Sequence, residues 1–268
     1  MALPVPHFRE SGVGPGVVCL HSNASNSSQW RGLTDLLASD YRVLAPDCYG
    51  SGKSADWASD RTITLNDEVA FIEPVLAAAG DPFSLVGHSY GAAVALIAAL
   101  AQPGRVRAMA LYEPTLFSLI DAQSPLPNAA DGIRQAVHAA GMALDQHKPN
   151  DAAKHFIDYW MGPSSWDNTP EARKPPIASS IINVRRWAHA LLTEPAPLEA
   201  FGTLQIPVLY MLGKNSPPSA LEVARLLTGV LPRVEVVAFD GLGHMGPITH
   251  PQQVNEVIAR FIASKVRP

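Results

Sequence analysis

The sequence predicts an α/β fold, in which a mostly parallel sheet is covered by helices on both faces and interrupted by a helical insertion. Three observations carry this prediction. Short apolar runs alternate with helix-spaced segments over the first 114 residues. No run between 115 and 203 reads as a strand. From residue 207 onward the alternation resumes and continues to the last helix.

In chain order, Val17-Val-Cys-Leu20 reads as a short buried strand followed by a polar loop from His21 to Ser28. Residues 30–39 show helical spacing, with Leu33, Leu36 and Leu37 on one face, and 41–45 form a strand ended by Pro46. Residues 65–79 read as a helix with Val69, Ile72 and Leu76 on one face, and Pro74 predicts a kink. A strand at 83–86, an Ala-rich helix at 89–101 and a strand at 106–112 complete the first part. In the insertion, 131–146, 151–161 and 177–192 read as helices, joined by Pro-rich stretches such as Lys174-Pro-Pro176 and Glu194-Pro-Ala-Pro197. Then come a strand at 207–212, a helix at 219–230, a strand at 234–239 and a helix at 251–263. The expected organisation is a core made of 1–114 and 204–268, with 115–203 as a helical cap.

Composition narrows the function classes. With 268 residues, 47% hydrophobic and 16% charged, the chain is long and apolar enough to bury a core. The formal net charge of −4 comes with no basic patch, so no nucleic-acid partner is expected. The start, MALPVPHFRE, lacks the basic and apolar regions of a signal peptide. The longest mostly apolar stretch, 92–101, is about half a membrane span, so no span is expected. Two cysteines, Cys19 and Cys48, make no disulfide framework, and a reducing cytoplasm is the simplest reading.

The chemistry-bearing motif is Gly87-His-Ser-Tyr-Gly91, which fits G-x-S-x-G between an apolar strand and a helix. A tight turn in that setting strains the backbone and lifts the Ser89 hydroxyl above the sheet, at a helix N-terminus that favours developing negative charge. His88 reads as packing. Asp240-Gly-Leu-Gly-His244 follows the last strand, so His244 is the expected general base. His250, just before Pro251, fits a helix cap better.

Together with Leu20-His-Ser-Asn23 and Ala45-Pro-Asp-Cys-Tyr-Gly-Ser-Gly-Lys-Ser54, these residues resemble the α/β-hydrolase superfamily. That resemblance implies a Ser-His-acid triad. In many relatives the acid lies after the strand matching 207–212, and here that position is Ser216, beside Asn215; neither carries charge. A second location known in the superfamily is the end of the strand after the nucleophile helix. The resemblance therefore implies Glu113 as the acid, with Asn215 or Asp240 as alternatives. It also implies an oxyanion hole from the backbone N–H groups of Asn23 and Tyr90, although Ser22 stands where relatives have Gly. The loop 21–28 also reads as helix-capping, and His21 as structural. Aromatic residues of the cap, with Trp160 and Trp187 as candidates, are expected to line an apolar pocket above Ser89.

Gly50-Ser-Gly-Lys-Ser54 imitates a phosphate loop but has Cys48 where the first glycine belongs. The histidines of the cap show no metal spacing, so neither metal nor cofactor is expected. The expected activity is hydrolysis of an ester of a small, largely apolar molecule through an acyl-enzyme. Thioester, lactone or carbon–carbon cleavage uses similar parts, and a ligand-binding protein on a hydrolase scaffold is the competing class.

Overall fold

Strands without a polar face need cover on both sides, and this chain supplies it. The computed structural model describes residues 4–266; residues 1–3 and 267–268, which include the start of the stretch read against a signal peptide and the two ends of the predicted core, lie outside the described residues. Seven strands, β1 (Phe8–Ser11), β2 (Gly16–Leu20), β3 (Arg42–Pro46), β4 (Phe83–His88), β5 (Val106–Tyr112), β6 (Val208–Gly213) and β7 (Val234–Phe239), form one sheet in the order β1-β3-β2-β4-β5-β6-β7. All pairings are parallel except β1 with β3.

Every residue of β2 and β4 is buried. Period-two alternation divides their side chains between two layers. Val18, Leu20 and Leu85 join Phe71, Ile72 and Leu96 of the helices Leu65–Ala79 and Tyr90–Ala101. Val17, Cys19 and Val86 join Leu33 of the helix Arg31–Leu37 and Ile258 and Ile262 of the helix Pro251–Lys265. The first layer continues into the helical segment between β5 and β6 through Phe156, Trp160 and Trp187.

The structure adds elements to the sequence reading. β1, Phe8-Arg-Glu-Ser11, carries no apolar alternation; it is an edge strand held by its backbone ladder to β3 and by Arg42 Nε to Glu10 Oε1 at 2.7 Å. The expected helix over 177–192 is two helices, Lys174–Ser180 and Val184–Leu192, separated by the 3-10 turn Ile181–Asn183. That turn buries Asn183, whose Nδ2 reaches the carbonyl of Gly50 at 3.4 Å. Three helices too short for a periodic signal also appear: Ser118–Gln123, Leu198–Phe201 and Gly246–Thr249. The helix Leu65–Ala79 continues through Pro74. Its start is fixed by a capping box between Thr64 and Asp67.

Candidate active site

β4 ends at His88 and the next helix begins at Tyr90, so Ser89 alone turns the chain. It does so at φ +56° and ψ −117°, a backbone conformation that costs a residue with a side chain on the order of 1–3 kcal/mol. The turn is tight enough to require both flanking glycines. A Cβ on Gly87 would lie 2.5 Å from Cα of Ala92, and one on Gly91 would strike the carbonyl oxygens of Leu20 and His21. The Ser89 N–H donates to the carbonyl of Tyr112 at 2.9 Å, which pins the turn to β5.

The loop after β7 brings His244 back over the strand ends. Its Nε2 lies 2.9 Å from Ser89 Oγ, and its Nδ1 lies 2.7 Å from Glu113 Oε2. Glu113 follows β5 directly, is fully buried and has φ +44°. Its other oxygen, Oε1, accepts from the Gly213 N–H at 2.7 Å and the Ser216 hydroxyl at 2.6 Å. Ser89, His244 and Glu113 thus form one continuous hydrogen-bonded chain. Ser216 holds the glutamate, and the alternatives lie elsewhere. Asn215 is exposed, and Asp240 is 87% exposed and paired with Lys214 at 2.7 Å.

A second chain of hydrogen bonds runs behind the first. Burial, reinforced by the neighbouring His244 imidazole, holds the His88 imidazole well below its ordinary pKa. Neutral, it accepts from Gln29 Nε2 at Nδ1 (3.1 Å) and donates from Nε2 to the carbonyl of His244 (2.8 Å). Gln29 Oε1 accepts from both the N–H and the hydroxyl of Ser22, each at 3.1 Å. The loop carrying Asn23 and the loop carrying His244 are therefore tied through Gln29 and His88 together. Sequence reasoning missed Gln29, which stands 59 positions from its partner His88 and belongs to no motif. Tyr90 is the first residue of its helix, so its N–H is one of the donors a helix leaves without an internal partner. In the same loop Asn26 caps the turn Ser27–Trp30, accepting from the Ser28 N–H at 2.9 Å. His21 bridges the Ser22 carbonyl (2.8 Å) and the Cys48 N–H (3.0 Å), a structural arrangement.

A family model described as "Alpha/beta hydrolase family" matches residues 17–257. The chain belongs to the alpha/beta hydrolase family. It is 24% identical to a pimeloyl-[acyl-carrier protein] methyl ester esterase of Aliivibrio salmonicida, over 96% of this chain and 95% of that protein. It is 27% identical to 2-hydroxy-6-oxononadienedioate/2-hydroxy-6-oxononatrienedioate hydrolase 2 of Pseudomonas putida, over 96% of this chain and 91% of that one. An esterase from Rhodococcus sp. ECU1013 shares its fold, with a TM-score of 0.75, 24% identity and 98% coverage of both chains.

In this alpha/beta hydrolase the glycine-rich turn after β3 wraps a carboxylate of its own. Asp47 Oδ1 accepts from the Ser27 N–H (2.6 Å) and Oδ2 from the Lys53 N–H (2.9 Å), while a Cβ on Gly52 would strike that same carboxylate. Burial pushes the Asp47 pKa up, but these donors outweigh it and hold it below the usual range. Glu68 lies beneath the elbow, where burial raises its carboxyl to about 7. It accepts from the Tyr49 N–H (3.2 Å) and the Tyr90 hydroxyl (3.1 Å). Among the described residues no helix is long and apolar enough to cross a membrane.

A cleft of about 1290 Å³ between the core loops and the helical segment is lined by Asn23 and by Met245, the neighbour of His244, but not by Ser89 or His244 themselves. The two tryptophans expected above Ser89 sit differently from one another. Neither Trp160 nor Trp187 lines the cleft, and both pack in the core layer. Trp160 stacks on the His244 ring at 3.9 Å and 25° and also meets Phe117, Phe156 and Tyr159. Trp187 packs on Phe156 and faces a small separate cavity beside Glu68 and Arg186.

Proposed function

We propose that this protein hydrolyses a carboxylic ester through an acyl-enzyme on Ser89. The observation that carries the reading is the unbroken hydrogen-bonded chain from Ser89 Oγ through His244 to Glu113. His244 Nε2 takes the hydroxyl proton as Ser89 Oγ attacks the carbonyl carbon, and the Glu113 carboxylate steadies the imidazolium through Nδ1–H. The backbone N–H groups of Asn23 and Tyr90 donate to the oxyanion. Collapse breaks the bond to the alcohol, which leaves with the proton from His244. Water, deprotonated by the same nitrogen, then releases the acid and restores Ser89. The segment 115–203 acts as the lid over this site. The esterase named among the relatives supports an ester as the bond cleaved.

A fluorophosphonate probe tests the reading and separates it from a binding protein on the same scaffold. Labelling at Ser89 is expected in the parent, with a loss of about 10³-fold or more in rate in His244→Ala and in Glu113→Gln. Labelling no faster in the parent than in His244→Ala would overturn it. Esters left intact while a 2-hydroxy-6-oxo dienedioate is cleaved would replace the ester by a carbon–carbon bond.

A further inference from the structure

We infer that the alcohol half of the substrate is an uncharged, hydroxyl-bearing unit of the sugar or polyol class, esterified by a short acyl group. This rests on the esterase reading above. The cleft, at about 1290 Å³, is larger than the roughly 300–1,000 Å³ that suits drug-sized ligands, so it has room for more than a simple ester. Its walls mix polar and apolar side chains, with Asp56 and Arg173 as the two charged residues of the lining. The loops after β2 and β3 contribute Asn23, Ser25, Asn26 and Ser51, and the helical segment contributes Asn168 and Ser179. Apolar surface lies among them from Ile157, Met161, Ile177 and Met245. Carboxamides and hydroxyls beside aliphatic patches match a molecule whose rings or chains carry C–H faces and hydroxyl edges.

Two other substrate classes fit less well. Of the lining residues only Asp56 and Arg173 are charged, and Asp56 is already paired with Arg186 at 2.8 Å. A dianion would find one cationic partner at most and meet Asp56 as a repulsive neighbour. A long alkyl alcohol would cover the Ser and Asn side chains without replacing their hydrogen bonds to water, a cost of about 1–3 kcal/mol for each group left unsatisfied. The acyl side is limited by Trp160, which lies flat on His244 and is itself held by Phe117 and Phe156, so bulk is confined to the cleft. The step is ordinary ester exchange. The acyl–O(sugar) bond breaks, the acyl–Oγ bond forms on Ser89, and the freed sugar hydroxyl takes the proton from His244.

Three acetates compared at equal concentration test the inference: an O-acetylated disaccharide, octyl acetate, and the acetate of 6-hydroxyhexanoate as the anionic arm. The acetylated sugar is expected to have a kcat/KM about tenfold or more above the other two. Ser25→Val and Asn168→Leu are expected to raise KM for the sugar ester by about fivefold more than KM for octyl acetate. An octyl or anionic ester that equals the sugar ester, or lining variants that affect all three alike, would sink the substrate class. Fluorophosphonate labelling of Ser89 in the same preparations separates the two ideas. Labelling without sugar preference removes only this inference, and no labelling removes the esterase reading with it.

Discussion

Glu113 combines a buried carboxylate with a backbone φ of +44°, and neither would survive without partners on both oxygens. One oxygen faces His244; the other takes the Gly213 N–H and the Ser216 hydroxyl. Ser216 is thus a donor to Glu113. Glu113→Gln is expected to lower kcat by about 10³–10⁴-fold with KM nearly unchanged, measured on a nitrophenyl acetate. Ser216→Ala removes one charge-assisted hydrogen bond, and a fall of about tenfold in kcat is expected from the same assay. Glu113→Ala paired with Ser216→Asp is expected to recover about tenfold over Glu113→Ala alone; no recovery would mean that a carboxylate at 216 does not reach His244. Ser89 and His244 were legible because a turn motif and a glycine-rich loop announce them locally. Gln29 was not, since its importance lies only in where Ser22 and His88 come to rest.

The helix Leu65–Ala79 was legible from its apolar spacing, but its most consequential side chain sits on the buried face. Burial lifts the Glu68 carboxyl from 4.5 to about 7, so between those pH values the folded protein holds a proton that the unfolded chain releases. The stabilisation linked to that proton is complete below about pH 4.5 and declines as pH rises through about 7. Glu68→Gln keeps an acceptor for the Tyr49 N–H and offers an amide N–H to the Tyr90 oxygen in place of accepting its hydroxyl, while removing the titration. Urea melts at pH 5 and pH 8 should show the variant gaining stability over the parent mainly at pH 8, by about 3 kcal/mol at most. An equal effect at both pH values would show that Glu68 does not titrate on folding. His88 acts with the opposite sign: its depressed pKa makes the folded state lose ground as pH falls below 6.5.

At the scale of the molecule, the parallel sheet delivers the ends of β4, β5 and β6 and the loop after β7 to one edge, and the helical segment closes over them. Trp160 is the joint between the two, stacked on His244 and packed with Phe117 and Phe156. Trp160→Ala is expected to cost about 3–5 kcal/mol in a urea melt and to speed labelling by a bulky fluorophosphonate relative to a small one. Trp160→Phe should keep most of the stability. Unchanged probe selectivity in Trp160→Ala would show that the indole does not limit access.

By itself the sequence determined the parallel strands of the sheet, their helical cover and the elbow, because short apolar runs and two obligatory glycines are written in neighbouring residues. The edge strand β1 and the turn that splits 177–192 escaped it, since their reasons are a backbone ladder and the contact of Asn183 with Gly50. The relation of Ser89 to His244 spans 155 positions and that of His244 to Glu113 spans 131. Motif and resemblance named those three residues, but only the tertiary structure decided which carboxylate faces the imidazole, what holds that carboxylate, and that the cleft is lined by short polar and aliphatic side chains rather than aromatic ones. Each depends on side chains from distant strand ends meeting at one edge of the sheet, a relation that no local pattern encodes.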